Sequence, residues 1–279
     1  MKISQSVECS TRGPARDGRL PSLAALAAVA AVASVAPPPL AAERVTFATL
    51  NIAYATHASL EQIAAAIRAL DADVVALQEV DRFTRRSPTD QAAQLGRLLD
   101  MEVAYAPAID YQGGEFGIAL LSRVAIVAIV AMESIRLPIL DYHSLPPPTR
   151  LLFGCRQDDI EQHLLLTARL RLADDTEISV ATTHLGRCGA TERLPQAAAI
   201  ATHAVSTALL AGDFNARRSG RVAGHLTSNG WRVLVARGVD WIVGRSCIAV
   251  EEVVPEPARV SDHPLVAARV RVQPACVVD

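Results

Sequence analysis

The sequence has no strong excess of either charge. It contains 29 acidic and 27 basic side chains, and its formal net charge at pH 7 is −2. Such a chain has no global basic field for nucleic acid, so a polyanion must be bound by a local patch or through a metal ion. The balance argues against a dedicated, tightly binding nuclease. It leaves open a nucleic acid held in a groove of a few arginines.

The sequence also lacks the cysteine and histidine spacings of a structural zinc site, including Cys-x-x-Cys. If Cys9 is removed with an N-terminal signal, four cysteines remain: Cys155, Cys188, Cys247 and Cys276. An even number is compatible with disulfides in an oxidising compartment. Four cysteines allow three pairings, and their positions alone do not choose among them.

Beyond the N-terminal region, the sequence has no apolar run that reads as a membrane span. The N-terminal run covers residues 20–36, follows several basic residues, and precedes a proline break and Leu40-Ala41-Ala42. This order predicts a secretory signal over residues 1–42, cleaved after Ala42. An uncleaved anchor is the alternative, although the run is short beside the ~20 residues of a span. We therefore expect an exported protein, periplasmic or secreted, with one domain over residues 43–279.

Hydrophobic periodicity downstream predicts alternating strands and helices. A capping box at Ser59 begins a helix that ends near Asp71, and Ser87 is expected to cap a second helix with Pro88 in its first position. Two further helices are expected at 191–206 and 222–228. The expected strands are 45–51, 74–77, 102–106, 117–122, 124–134, 163–172, 176–184, 208–212, 239–243, 249–254 and 265–272. Hairpins are expected for 117–122 with 124–134 and for 163–172 with 176–184.

Polar side chains stand at many of these strand ends. They are Asn51, Glu79, His184, Asp213, Asn215, Asp240, Asp262 and His263. Each one alone is explained by a turn or a solvated charge. At strand spacing, Asp213 and Asn215 would point to the same side. So many polar strand ends together indicate one convergent site.

These residues, in this order, carry a family resemblance. The segments are Asn51, Gln78-Glu79, Thr183-His184-Leu185, Gly212-Asp213-Phe214-Asn215, Asp240-Trp241-Ile242 and Ser261-Asp262-His263. From about Val45 to Val272 the chain resembles the endonuclease/exonuclease/phosphatase superfamily. The resemblance implies an α+β fold, a four-layer α/β/β/α sandwich of two mixed sheets between helices. It also implies metal-dependent hydrolysis of phosphoesters.

The same resemblance implies a role for each site residue. Glu79, Asn51 and Asp262 offer the hard oxygen ligands that suit Mg²⁺ or Mn²⁺. His263 would activate water or orient the phosphate, with Asp240 holding its ring. The remaining roles are a second acid/base group for Asp213, positioning for Asn215, and hydrogen bonding to phosphate oxygens for His184.

The chain departs from the family pattern in several places. Ile118 stands where similar members carry Asn, and Glu161-Gln162-His163 stands where many carry Glu-Pro-Arg. A phosphate-facing arginine is therefore lost or replaced by His163. Only 27 positions separate Asp213 from Asp240, which leaves little room for the family's substrate-side hairpin. If the fold is as implied, an inserted loop brings Cys155 near Cys188, and we expect these two to form a disulfide.

We therefore expect an exported, divalent-metal-dependent hydrolase of phosphate esters, of phosphodiesterase type. Nucleic acid, a phospholipid head group and a small phosphoester are all compatible substrates, and a monomer without an obligate protein partner is expected. The departures motivate one alternative, a catalytically weakened member that acts as a binding protein. Arg82, Arg85 and Arg86 either line a phosphate groove or form a solvated basic loop.

Overall fold

The computed structural model describes residues 43–123, 132–141, 143, 155–172 and 177–276. In chain order the strands are β1 Glu43–Asn51, β2 Val74–Arg82, β3 Glu102–Tyr111, β4 Gly114–Ser122, β5 Glu133–Arg136, β6 Leu164–Arg171, β7 Glu177–His184, β8 Thr207–Asp213, β9 Arg232–Arg237, β10 Asp240–Gly244, β11 Ile248–Val254 and β12 Val266–Val272. The helices are α1 Leu60–Ala69, α2 Gln91–Leu99, α3 Ala190–His203 and α4 Arg221–Ser228. Within these ranges no helix is both long and apolar enough to cross a bilayer.

The strands form two six-stranded mixed sheets. One sheet has the order β11-β12-β1-β2-β4-β3 and the other the order β5-β6-β7-β8-β10-β9. Helices α1 and α2 pack on the first sheet, and α3 and α4 pack on the second. The expected α+β class and α/β/β/α sandwich are confirmed.

Side-chain alternation along each strand divides the interior into three apolar layers. Along β1, Val45 and Phe47 face the layer between the sheets, whereas Ala48 and Leu50 face the layer under α1 and α2. Because successive side chains of a strand point to opposite faces, one strand supplies both layers. The third layer lies under α3 and α4 and includes the buried Trp231.

Two parallel crossovers determine where the site forms. β1 and β2 pair in parallel with Asn51 beside Gln78, and β7 and β8 pair in parallel with His184 beside Asp213. A parallel pair brings the carboxyl ends of both strands to the same edge of its sheet. Asp240, at the start of the antiparallel β10, lies opposite Asp213.

The predicted start of the second helix was wrong. Helix α2 begins at Gln91, and its cap is Asp90, whose carboxylate accepts a hydrogen bond from the Ala93 backbone N–H at 2.9 Å. Ser87 instead lies in a preceding turn, where its backbone N–H donates to the Thr84 carbonyl. Asp and Ser are both good capping residues, so composition alone did not separate them.

The predicted hairpin of 117–122 with 124–134 was also wrong. Strand β4 forms its hairpin with β3, through a turn at Gln112 and Gly113 whose φ angles are 50° and 85°. Two consecutive positive φ angles match the twist of a tight hairpin. Strand β5 pairs with β6 in the other sheet, and residues 124–131 lie outside the described part of the chain. The sequence interpretation also ended β3 too early, at residue 106, and missed β9.

Candidate functional site

A cavity of about 510 Å³ opens where β1, β7 and β8 end and beside a bulge of β2. Glu79 lies at this bulge and β2 continues to Arg82, so the prediction that Glu79 stands at a strand end was wrong. Six of the eight predicted site residues line it: Glu79, His184, Asp213, Asn215, Asp262 and His263. The other two, Asn51 and Asp240, are buried and contact the lining residues from behind. The structure therefore brings all eight predicted site residues together, although they come from six separate segments.

His263 and Asp240 form a close acid–histidine pair. His263 Nδ1 lies 3.0 Å from each carboxylate oxygen of Asp240, so its N–H donates to that carboxylate. The hydrogen bond raises the pKa of His263 to about 9, and burial raises the pKa of Asp240 to about 6. The pair fixes the ring and leaves Nε2 as the nitrogen available to the cavity.

Asp213 lies beside this pair. Its Oδ2 is 3.7 Å from His263 Nδ1 and 3.5 Å from His184 Nε2, so it lies between two histidines. Asp213, Asp240 and His263 form a compact cluster of possible ligand atoms, all within 4.8 Å of one another. Because His263 Nδ1 already donates to Asp240, the contacts in this cluster fit proton transfer better than cation binding.

Strand spacing does not determine the position of Asn215. Strand β8 ends at Asp213, and Asn215 adopts a left-handed conformation with φ 46°. The turn lets the Asn215 backbone N–H donate to Asp213 Oδ1 at 2.7 Å. The Asn215 side-chain amide donates to the Leu185 carbonyl and lies 3.2 Å from His184 Nε2. Asn215 and Asp213 thus point to the same side, as predicted, because both line the cavity and lie beside His184 Nε2. A left-handed turn, and not strand spacing, brings Asn215 there.

The residues predicted to bind metal lie next to Asp213, because Asn51 contacts both Glu79 and Asp213. Asn51 Nδ2 donates to Glu79 Oε1 at 2.9 Å and to Asp213 Oδ2 at 3.3 Å. Ser261 Oγ lies 2.7 Å from the Asn51 carbonyl and 3.1 Å from Asp262 Oδ1, which joins Asp262 to the end of β1. Two carboxylates and an amide of this kind fit a hard divalent cation such as Mg²⁺ or Mn²⁺.

Glu79 is available for such a cation. Its Oε2 accepts no hydrogen bond from any residue that the structure describes, and Asp262 has a side chain that is 57% exposed. Glu79 also has a φ of 55° and occupies a bulge, where the β2–β4 register shifts between Leu77 and Val80. A left-handed non-glycine residue costs ~1–2 kcal/mol. Strained residues of this kind cluster at functional sites.

The close approach of β7 to β8 requires glycine at position 212, directly before Asp213. A Cβ atom at Gly212 would lie 1.9 Å from the Thr183 carbonyl oxygen of the neighbouring strand. Any side chain here would separate β7 from β8 and move His184 away from Asp213. Phe214 packs against Trp241, with 4.6 Å between ring centres, under the same turn. The Gly-Asp-Phe-Asn segment therefore combines two polar site residues, Asp213 and Asn215, with two packing residues, Gly212 and Phe214.

Glu161 was missed as a site residue. It lines the cavity, and burial raises the pKa of its carboxyl group, with Glu79 and His184 among the charged groups that affect it. Glu161 stands at the glutamate of the segment that matches the family's Glu-Pro-Arg, so the resemblance is the signal that could have identified it. His163 does not replace that arginine, because burial lowers its pKa to about 3 and keeps the ring neutral.

The predicted Cys155–Cys188 disulfide is confirmed, and Cys247 pairs with Cys276. Cys155 precedes Asp159 and Glu161, and Cys188 follows Arg187, so this bridge joins two segments that line the cavity. The Cys247–Cys276 bridge lies at the opposite end of the first sheet, because Ile248 pairs with Val272 and Val272 pairs with Glu43 at the start of β1.

Because the two disulfides close loops of similar length but only one lies at the cavity, removing each in turn gives two comparable variants. The two bridges close loops of 33 and 29 residues, so replacing either pair by serine should lower the free energy of unfolding by ~3–4 kcal/mol. We expect substrate turnover to fall only in the Cys155→Ser/Cys188→Ser variant, because only that bridge supports the cavity wall. Chemical denaturation measures the first effect and steady-state kinetics the second. Equal turnover in the two variants would contradict a positioning role for Cys155–Cys188.

Most of the chain matches one known protein family. Residues 48–263 match the family model described as "Endonuclease/Exonuclease/phosphatase family". No curated protein sequence is similar enough to the chain to count as a match.

Several solved structures share the fold. An endonuclease/exonuclease/phosphatase from Beutenbergia cavernae is 19% identical, with a TM-score of 0.65 over 82% of this chain and 72% of that one. A family protein from Bacteroides thetaiotaomicron is 15% identical, with a TM-score of 0.63 over 84% of this chain and 99% of that one. A mannosyl-6-phosphatase from the same organism is 15% identical, with a TM-score of 0.59 over 81% and 99%.

Proposed function

The chain belongs to the endonuclease/exonuclease/phosphatase family, whose members hydrolyse phosphoesters, and from this premise we propose its activity. We propose that it is an exported, divalent-metal-dependent phosphoester hydrolase of phosphodiesterase type. The observation that carries the proposal is one cavity in which an acid–histidine pair lies close to a set of carboxylate oxygens. His263 and Asp213 line the cavity with Asp240 behind them, and Glu79 and Asp262 line it with Asn51 behind.

The residues divide the reaction between them. A divalent cation held by Glu79, Asp262 and Asn51 would polarise the phosphoryl group and stabilise the leaving oxygen. His263 exchanges a proton with water or the phosphate through Nε2, while Asp240 keeps the ring oriented and balances the charge of imidazolium.

Asp213 and His184 act on the same phosphate. Asp213 is the second acid/base group, held in place by hydrogen bonds from Asn51 and the Asn215 backbone. His184 lies beside both Asp213 and Asn215 and donates to a phosphate oxygen, which stabilises the charge that develops there.

The departures from the family pattern do not favour a binding protein. Ile118 is 3% exposed, belongs to the layer between the sheets, and is not among the cavity-lining residues. An apolar residue at this position therefore removes no polar group from the cavity wall. Since every predicted metal and acid/base residue reaches the site, we propose catalysis ahead of the binding alternative.

Export is proposed on the N-terminal pattern and on the disulfides. The basic, apolar and small-residue order of residues 1–42 is that of a secretory signal. Two structural disulfides are expected to persist only in an oxidising compartment. Mature-terminus sequencing after expression in a secreting host tests this, and an N-terminus at Glu43 is expected.

The activity is tested by a substrate screen. Bis-p-nitrophenyl phosphate, p-nitrophenyl phosphate, plasmid DNA and sphingomyelin should each be incubated with Mg²⁺, with Mn²⁺ and with EDTA. The monoester is included because one similar structure is named as a mannosyl-6-phosphatase. We expect metal-dependent cleavage of a diester that EDTA abolishes and added metal restores. Hydrolysis that is equal with metal and with EDTA would overturn the proposed metal dependence.

A further inference from the structure

Arg86 is held rigidly at the wall of the cavity. Its Nε and Nη2 donate to the two carboxylate oxygens of Asp81 at 2.7 and 2.9 Å. The Asp81 side chain is completely buried and also accepts a hydrogen bond from Thr84 Oγ1 at 2.9 Å. A bidentate hydrogen bond to a buried carboxylate fixes the position and the plane of the guanidinium group.

Two tyrosines further restrict this plane. The guanidinium carbon lies 3.5 Å from the centre of the Tyr54 ring and 4.5 Å from the centre of the Tyr111 ring. Both tyrosines and Arg86 line the same cavity as Glu79 and His263. The edge of Arg86 that carries Nη1 makes no hydrogen bond to any residue that the structure describes, and the side chain is 26% exposed.

The carboxylates that line the cavity would repel a phosphate anion, so a cation besides the metal would favour its binding. Five carboxylates line it: Glu79, Asp159, Glu161, Asp213 and Asp262. Among the described residues, the lining arginines are Arg86 and Arg187. A metal ion and a protonated His263 would offset part of the repulsion on an entering phosphate anion, and these two arginines are the additional cations that line the cavity.

The two arginines differ in how well they are positioned. Arg187 is 72% exposed and lies 3.7 Å from Asp159, so binding a phosphate would require it to lose most of its freedom. Arg86 is already fixed, and a donor that is fixed in advance loses less conformational entropy when it binds. His163, the residue in the place of the family's arginine, is buried and carries no charge.

We propose that Arg86 binds a non-bridging oxygen of the substrate phosphate through its Nη1 edge. Asp81, Tyr54 and Tyr111 are positioning residues that hold the guanidinium group toward the cavity. This inference rests on the proposed phosphoesterase function. It assigns to the loop after β2 the phosphate contact that the Glu161-Gln162-His163 segment cannot provide.

The test compares Arg86→Gln, Arg86→Lys and the neighbouring control Arg85→Gln. Arg85 is exposed and does not line the cavity, so its replacement removes one charge from the same loop. A hydrogen bond to a charged group contributes ~1.5–3 kcal/mol. We therefore expect Arg86→Gln to raise KM for bis-p-nitrophenyl phosphate about 10- to 100-fold, with a smaller change in kcat. Arg86→Lys should raise KM less than Arg86→Gln does but should not restore the wild-type value, because lysine keeps the charge and lacks the planar, bidentate guanidinium group.

A second measurement does not depend on turnover. Calorimetric titration of inorganic phosphate in MgCl₂ should show the same rise in Kd for Arg86→Gln and no change for Arg85→Gln. Because Arg86→Gln leaves Asp81 unpaired, Asp81→Asn/Arg86→Gln serves as a second variant without the buried charge, and thermal melting confirms that it is folded. This variant should show the same weakened phosphate binding.

The outcomes separate this inference from the proposed function. If the wild-type protein hydrolyses the diester while folded Arg86 variants keep KM and the phosphate Kd, the assignment of Arg86 is overturned. If no substrate is hydrolysed but phosphate affinity falls in the Arg86 variants, the anion subsite is supported and the catalytic proposal fails. A fall in affinity of equal size in Arg85→Gln would also overturn the assignment, since it would show only a loss of general charge.

Discussion

Replacing His263 by alanine is expected to lower kcat for phosphodiester hydrolysis by about 10³-fold. Positioned general acid–base groups contribute ~10²–10⁴-fold to rates, and His263 is the histidine paired with Asp240 at 3.0 Å. The substitution removes the proton-exchanging nitrogen and also leaves Asp240 buried without its partner. Steady-state kinetics at saturating Mg²⁺ measures the effect.

His203→Ala is the matched control for this variant. His203 is an exposed residue at the end of α3 and does not line the cavity, so its replacement should leave kcat unchanged. Asp240→Asn should lie between wild type and His263→Ala, because an amide oxygen can still accept the Nδ1 hydrogen bond but does not balance imidazolium. A His263→Ala enzyme that is folded and retains wild-type kcat would remove His263 from the mechanism.

Replacing Glu79 by glutamine is expected to lower activity by at least about 100-fold and to raise the metal concentration needed for half-maximal activity. Even residues that only support a ligand change metal affinity or activity by ~10–100-fold, and Glu79 is proposed to bind the metal directly. Glutamine keeps the shape of the side chain, so the bulge in β2 and its φ of 55° can persist. Activity across a range of Mg²⁺ concentrations measures both changes.

A measurement of metal binding shows whether Glu79 binds the metal directly or only contributes negative charge to the protein. Calorimetry with Mn²⁺ should show weaker binding to Glu79→Gln and unchanged binding to Glu133→Gln, which alters an exposed carboxylate on β5. The two variants have the same net charge, so a difference between them reflects position. Unchanged Mn²⁺ affinity and unchanged activity in Glu79→Gln would show that the metal is held elsewhere.

Local elements were predictable where a short-range interaction determines them. The capping box at Ser59 is confirmed, since Gln62 N–H donates to Ser59 Oγ and Ser59 N–H donates to Gln62 Oε1. The predicted hairpin of 163–172 with 176–184 is confirmed as β6 with β7, and it depends on chain neighbours in the same way. The start of α2 failed because Ser87 and Asp90 are both good caps, and the fold of the intervening turn decides between them.

Pairing between strands that are not joined by a short turn could not be obtained from local patterns. A hairpin of 117–122 with 124–134 was predicted, but β4 lies between β2 and β3 in one sheet, and β5, which begins at Glu133, is an edge strand of the other. An apolar strand can pair wherever its buried face finds a complementary surface, and that choice depends on residues far away in the chain. The Gly212 contact with Thr183 is of the same kind, since it involves residues 29 positions apart.

The kinds and the order of the chemical groups at the site can be identified from the sequence alone. Gly212-Asp213-Phe214-Asn215 follows a predicted strand and Ser261-Asp262-His263 precedes one, and all eight predicted site residues line one cavity or contact its lining residues. The contacts of each group follow instead from the folded chain. It joined Asn215 to His184 through a left-handed turn, left His163 uncharged by burial, and placed Arg86 on the cavity wall. Hydrogen-bond geometry and burial depend on neighbours that are distant in sequence, and so they form only when the two sheets pack together.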